Sequence, residues 1–319
     1  MTRVGVVDLG TNSTRLLVAN VDDGAVSEVE RRLVITRLGE GVDERGILLP
    51  TALARVRNVL GDFRRALEER GAERTLAVAT SAVRDAENGE AFLGEIEWSY
   101  GFETRLLTGH DEALLTFRGV SAGRELREDT LLVDVGGGST ELVLGGPAGV
   151  AWHDSLDLGC VRLTERFLRS DPPTSEQLDG CAAHVRALLA ERVPAEARPV
   201  QAIGVAGTVT TLAVLSLGLE QEDPDVVHGH VLAADWIAGR VARLASLSVA
   251  EIRALRGMHP DRAPVILAGA VVVAGVLEHF GLEALETSER DIMHGAALAA
   301  AELPERPEGN APPGAYTCC

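Results

Sequence analysis

At 319 residues and 46% hydrophobic, the chain can bury the cores of two ordinary domains, and its formal charge of −18 argues against binding nucleic acid or a membrane surface through a basic face. All 30 basic residues are Arg, so a Walker A loop, a protein-kinase strand Lys and Schiff-base chemistry are excluded. Uniform Arg usage reads first as genome base composition, although the guanidinium fork suits phosphate oxygens.

In chain order, residues 3–8, 14–21 and 26–37 are expected as three antiparallel strands, the last two joined by a hairpin turn at Asp22-Asp23-Gly24. Thr51 is expected to cap a helix to about Gly71, with Leu53, Val56, Val59, Leu60, Phe63 and Leu67 in helical spacing. A strand at 74–80, a helix at 90–100, a strand at 104–107 and a helix from Gly109 to about Leu126 follow. The plan then repeats: strands at 130–135, 140–145 and 150–157, a helix at 175–192, a strand at 199–205, then further helices. The order β-β-β-α-β-α-β-α, twice over, predicts domains at 1–125 and 126–303, with a last helix at 291–303 able to pack back on the first. Residues 304–319 form a Pro/Gly-rich tail expected to be disordered.

The apolar run from Ala263 to Leu277 contains Pro and Gly and is too short to span a bilayer. The first residues lead into a strand pattern without the apolar stretch of a secretory signal, so a cytoplasmic protein is expected. Cys160, Cys181, Cys318 and Cys319 have neither zinc-site spacing nor the pattern of a disulfide scaffold. Cys160 reads as a buried small hydrophobe at a strand end, and the terminal Cys pair, a prenylation signal in eukaryotic proteins, closes the tail.

One short pattern occurs twice: Asp8-Leu-Gly-Thr-Asn-Ser-Thr-Arg-Leu and Asp134-Val-Gly-Gly-Gly-Ser-Thr-Glu-Leu, offset by 134 − 8 = 126 residues. That is about a domain length, as expected of a duplicated unit. Each copy reads as strand, Gly-rich turn, strand. The amides and hydroxyls of Thr11, Asn12 and Ser13, and of Gly136, Gly137, Gly138 and Ser139, suit anionic oxygen. A carboxylate at the mouth of such a turn repels phosphate unless a cation lies between them, which points to Mg²⁺ or Mn²⁺. Asp134 and Glu141 flank the second turn and Asp8 opens the first; Asp8 and Asp134 can equally hydrogen-bond their own turns. Gly207-Thr208, between a strand and a helix, offers amides to a phosphate at a helix start. Arg84 can clamp phosphate oxygens or pair with Asp85 or Glu87. Glu112 and Asp111 lie in the first turn of a helix, where a carboxylate offsets the helix dipole. His228 and His230 look like a metal pair but lack a third ligand nearby, and receive no metal role.

Taken in order, the two repeats, Ala79-Thr-Ser-Ala-Val-Arg84, Thr108-Gly-His-Asp-Glu112-Ala, Gly204-Val-Ala-Gly-Thr208, Val227-His-Gly229 and Arg262-Ala-Pro-Val-Ile-Leu-Ala-Gly-Ala270 resemble the exopolyphosphatase / guanosine pentaphosphatase family. The resemblance extends to about Leu303. It implies an α/β protein of two ribonuclease-H-like domains, as in actin, Hsp70 and sugar kinases, with a cleft between them. It further implies Glu112 as the base that deprotonates water, Mg²⁺ on Asp134 and Glu141 with Asp8 as a third partner, and phosphate held by the turns, Arg84 and Gly207-Thr208. The implied substrate is inorganic polyphosphate, or guanosine pentaphosphate by the same chemistry, and a homodimer is expected. An ATP-binding module or sugar kinase, or a regulator that binds without hydrolysis, is the reading from other classes. Two departures are visible. The chain looks like the family's short form, which favours short substrates and distributive hydrolysis, and Arg290-Asp-Ile-Met-His-Gly295 replaces the family's usual Gly-Leu-Arg-Glu-Gly.

Overall fold

The computed structural model describes residues 1–304. The expected tail beyond Pro304, with Cys318 and Cys319, lies outside the described residues. The chain forms two compact units: Met1–Arg124 joined by the last helix, and Glu125–Asp291. Among the described residues no helix is long and apolar enough to cross a membrane.

The first unit runs β1 (Thr2–Leu9), β2 (Ser13–Asp22), β3 (Ala25–Ile35), α1 (Val42–Arg45), α2 (Pro50–Glu69), β4 (Arg74–Ala79), α3 (Ser81–Arg84), α4 (Gly89–Tyr100), β5 (Glu103–Leu106) and α5 (Gly109–Ser121). Its sheet has the order β3-β2-β1-β4-β5, with the first three strands antiparallel and β4 and β5 parallel to β1. The β2–β3 turn carries Asp23 and Gly24 at positive φ, as a tight hairpin between right-twisted strands requires. Side-chain alternation serves both faces. Val7, Leu9, Leu16 and Val18 pack under Val56, Leu60 and Phe63 of α2 and Phe92 and Ile96 of α4, while Val4, Val6, Leu17 and Ala19 face the opposite layer. Because both faces are covered, β1 reads as an almost unbroken apolar run.

The second unit runs β6 (Thr130–Val135), β7 (Thr140–Gly146), β8 (Gly149–Leu156), α6 (Cys160–Phe167), α7 (Ser175–Arg192), β9 (Gln201–Val205), α8 (Ala206–Leu217), α9 (Pro224–Val227), β10 (Val231–Ala233), α10 (Ala234–Ala245), α11 (Val249–Arg253), α12 (Ile266–Phe280) and β11 (Ala284–Thr287). Its sheet order, β10-β11-β9-β6-β7-β8, repeats the first plan and adds β10 as an antiparallel edge. Both units thus carry the ribonuclease-H-like strand order that the sequence resemblance implies. The apolar run near residue 270 is the buried helix α12, packed on α7, α10 and the sheet.

The final helix, α13 (Ile292–Ala301), follows β11 in sequence yet covers the second face of the first sheet, with Ile292, Met293, Ala296 and Ala297 against Val4, Val6 and Leu17. Its small residues permit close approach to α5: a Cβ on Gly295 would lie 1.9 Å from the Leu115 carbonyl oxygen. Its departure from the family pattern has a partner here, since buried His294 sets Nε2 3.0 Å from Glu28 Oε1.

Three sequence expectations are corrected. The helix from residue 50 begins one residue before Thr51, with Leu49 as cap and Pro50 at its first position, where the missing proline N–H costs nothing. Cys160 does not end a strand; it opens α6, an amphipathic helix too short to stand out by periodicity. The helix from Gly109 ends at Ser121, five residues before Leu126, where its C-cap Ala122 turns to extended backbone.

Candidate active site

Each unit gathers its candidate residues at the carboxyl ends of its parallel strands, where open α/β sheets present ligand-binding loops. In the first unit that edge carries the 10–13 turn after β1, Arg84 beyond β4 and Glu112 beyond β5. In the second it carries the 136–139 turn after β6 and Gly207-Thr208 after β9.

The two turns share one geometry. Gly10 N donates to Ser13 O at 3.0 Å, and Gly136 N donates to Ser139 O at the same 3.0 Å. Their carbonyls are engaged from behind. Asn12 O accepts the amides of Thr36 and Arg37, and Thr11 O that of Gly39. Gly136 O and Gly137 O accept amides of Cys160, Val161 and Arg162 at the start of α6, and Arg162 Nε donates to Gly138 O at 2.8 Å. Holding the carbonyls on one side orients the peptide groups of the turn, the arrangement an anion-binding loop needs. The approach is tight: a Cβ on Gly159 would sit 2.1 Å from Gly137 O.

Register sets the charges. Asp8 lies opposite Arg15 across β1 and β2, and Arg15 holds Asp8 Oδ2 at 2.7 Å. At the matching positions of the second hairpin, Asp134 lies opposite Glu141, and the two are 8% and 3% exposed. Unit charges of like sign 4 Å apart repel by about 4 kcal/mol at an effective dielectric of 20. A divalent cation beside two such carboxylates would offset repulsion of this kind. The donors fit a cation that takes one or two carboxylates and completes its shell with water and substrate phosphate, as Mg²⁺ does. Among the described residues, no group of three or more His, Cys, Asp or Glu side chains is gathered for a metal. His228 and His230 serve other partners, Nδ1 of the first accepting from Glu289 N and Nε2 of the second meeting Ser216 Oγ.

Glu112 and Asp111 are separated by the way α5 begins. Thr108 caps the helix, its hydroxyl accepting from Asp111 N, while Asp111 Oδ2 accepts Thr108 N at 3.0 Å and Thr108 Oγ1 at 2.6 Å. This capping box, led by the Thr108 hydroxyl, holds the Asp111 carboxyl below the usual aspartate range and makes it a poor proton acceptor. Glu112 points elsewhere: it is 5% exposed and its Oε1 meets Arg84 Nη1, which also donates to Leu107 O at 2.8 Å. Arg84 therefore pairs with Glu112 more closely than with Asp85, 4.0 Å away.

At the start of α8 the sequence signal was Gly207-Thr208, and the structure adds a cation. The Arg262 guanidinium covers Gly207 so closely that a Cβ there would meet Nη1 at 1.8 Å, and the same Nη1 lies 3.3 Å from Thr211 Oγ1. Ala206 just before it holds φ at +67°, a strained value for a residue with a Cβ, and such strain clusters at ligand-binding sites. Thr208 also touches Cys160, whose thiol burial pushes up to about 11, the Thr208 hydrogen bond and Arg262 opposing. That thiol stays protonated at neutral pH and is no nucleophile. Arg15, Arg162 and Arg262 were not singled out from the sequence. Arg15 was legible, because a two-residue turn at 11–12 fixes 8 opposite 15; the other two are placed by long-range packing.

Similarity to known proteins agrees with this geometry. The model of the Ppx/GppA phosphatase family matches residues 17–302. The chain belongs to that family and is a phosphatase. Exopolyphosphatase 2 of Mycobacterium tuberculosis is 40% identical, the match covering 94% of this chain and 99% of the relative. The crystal structure of the Ppx/GppA family member of Aquifex aeolicus is 32% identical with a TM-score of 0.80, over 94% of this chain and 97% of that one. An exopolyphosphatase from Cytophaga hutchinsonii has a TM-score of 0.84 at 26% identity, over 92% of this chain and 96% of that one.

Proposed function

We propose that the protein is an exopolyphosphatase that removes the terminal phosphate of inorganic polyphosphate with Mg²⁺, or Mn²⁺ in its place. The observation that carries this reading is the buried Asp134–Glu141 pair beside a Gly-rich turn, in a chain 40% identical to Exopolyphosphatase 2 over 94% of its length. In the first unit Glu112 accepts a proton from water as it attacks the terminal phosphorus, the P–O bond to the chain breaks, and a chain shorter by one phosphate leaves. Arg84 orients Glu112, and its guanidinium is of the kind that binds phosphate oxygens. Thr11, Asn12 and Ser13 contribute turn donors, and Arg15, already holding Asp8, shields phosphate from that carboxylate. In the second unit Gly136, Gly137, Gly138, Ser139, Gly207, Thr208 and Arg262 take phosphate oxygens. Asp134 and Glu141 would hold the metal. Bound Mg²⁺ would neutralise the phosphate chain against these carboxylates and polarise its oxygens.

Guanosine pentaphosphate is the second reading, because the sequence resemblance implies it by the same chemistry. The reading also carries a cytoplasmic location and a homodimer, the second of which light scattering of the purified chain tests. Phosphate release from a panel of polyphosphates, guanosine pentaphosphate and ATP, with and without EDTA, tests the substrate. Release from polyphosphate that EDTA abolishes and Mg²⁺ restores is the expected result; turnover of guanosine pentaphosphate alone would move the assignment to the second reading.

A further inference from the structure

We propose that Ser155 is a positioning residue that fixes the Glu141 carboxylate for the metal. The inference rests on the reading of Asp134 and Glu141 as metal ligands and deepens it. Asp134, Glu141 and Ser155 lie opposite one another in a single row across β6, β7 and β8, so their side chains leave the same face of the sheet. Half-buried Ser155 donates its hydroxyl to Glu141 Oε1 at 2.7 Å. A glutamate has three side-chain torsions, and ordering them is the cost a ligand must meet before it can coordinate.

The serine is itself anchored. Ser155 N donates to Asp154 Oδ1 at 2.9 Å, and Arg192 at the end of α7 grips both oxygens of Asp154 with Nε at 2.9 Å and Nη2 at 2.7 Å. A chain of hydrogen bonds thus runs from α7 through the outer strand to the carboxylate beside the Gly-rich turn. Partners of this kind, which orient a ligand without touching the metal, change affinity by 10- to 100-fold when removed. A serine that merely decorated β8 would show no such coupling to the metal.

The test uses the full chain and Mn²⁺ alone, read by the electron paramagnetic resonance signal of free Mn²⁺, alongside Tm without metal and the Mg²⁺ dependence of phosphate release. Ser155→Ala is expected to weaken Mn²⁺ binding 10-fold or more and to raise the Mg²⁺ needed for half-maximal rate, with kcat at saturating Mg²⁺ and metal-free Tm near wild type. Ser155→Thr, which keeps the hydroxyl, is expected to restore binding. Wild-type Mn²⁺ affinity in Ser155→Ala overturns the proposal, as does a loss matched by a fall in metal-free Tm that Thr does not rescue. The double variant Asp134→Asn/Glu141→Gln separates the two levels: if it binds Mn²⁺ like wild type, the metal reading itself fails and this inference with it.

Discussion

Glu141 occupies in the second hairpin the register position that Arg15 occupies in the first, each opposite an aspartate at the mouth of a Gly-rich turn. One duplicated backbone therefore carries two electrostatic designs. In the first the aspartate faces a guanidinium on the neighbouring strand, and in the second it faces another acid. Glu141→Arg would convert the second design into the first. The variant is expected to fold, to lose polyphosphate hydrolysis and to lack the rise in Tm that Mn²⁺ is expected to give the wild type. Ligand linkage stabilises the native state by about 2.7 kcal/mol at a hundredfold excess over Kd, so a thermal shift with and without Mn²⁺ reads the difference. An unchanged Mn²⁺ shift would remove Glu141 from the metal site.

Adjacent acids at the start of α5 should behave as opposites. Glu112→Gln is expected to slow turnover by roughly 10²- to 10⁴-fold, the usual worth of a positioned base, with Tm little changed. Asp111→Asn should keep turnover near wild type. A steady-state comparison of the two decides it, and the reverse pattern would transfer the base to Asp111.

Asp111 has its own signature in pH. Its carboxyl is held below the ordinary value by the Thr108 hydroxyl and amide, so its contribution to stability is complete above the unfolded-state pKa and is lost as pH falls through the lower folded value. Asp111→Asn should cost about 0.3–1.5 kcal/mol near neutrality and flatten the acid limb of Tm against pH, measured below pH 5. Identical acid limbs in the two proteins would show that the capping box carries no linkage.

Gly207→Ala separates binding from folding. The new Cβ would meet the end of the Arg262 side chain, which is flexible and able to swing away, so the fold should survive with little loss of Tm. The guanidinium and the first turn of α8 would no longer share their present geometry. KM for short polyphosphate is expected to rise, with a smaller effect on kcat. A wild-type KM would place Arg262 and Gly207 outside the substrate's reach.

Gly295→Ala tests how α13 is held. Helix propensity favours Ala over Gly by about 1 kcal/mol, whereas the added methyl would lie 1.9 Å from a backbone oxygen of α5 that cannot turn aside. Overpacking costs about 1–3 kcal/mol and should win, lowering Tm by several degrees. A raised Tm would mean that the two helices separate freely.

Periodicity and punctuation made much of the fold legible in the sequence. The strands of both halves stood out because a sheet covered on both faces needs apolar runs, and α7 was bounded at Ser175 and Arg192 by its own cap and composition. Short elements such as α6 and β10 escaped because a few residues define no period, and their existence depends on what they pack against. At the site, the repeated motif pointed to the two Gly-rich turns and the acids beside them, since backbone geometry of that kind favours those residue types, whereas Glu112 was picked out only by the resemblance to the family.

The sequence by itself determined the duplicated α/β plan and the Gly-rich turns, which follow from local chemistry and hairpin spacing, while the roles of the candidate acids came from the resemblance to the family. Only the tertiary structure decided which charge meets which: Arg84 on Glu112 across 28 residues, Arg262 over Gly207, Ser155 on Glu141, and His294 of the last helix beside Glu28. Those meetings depend on how helices and strands distant in the chain are laid against one another, and side-chain partners at that range leave no periodic trace in the order of the residues.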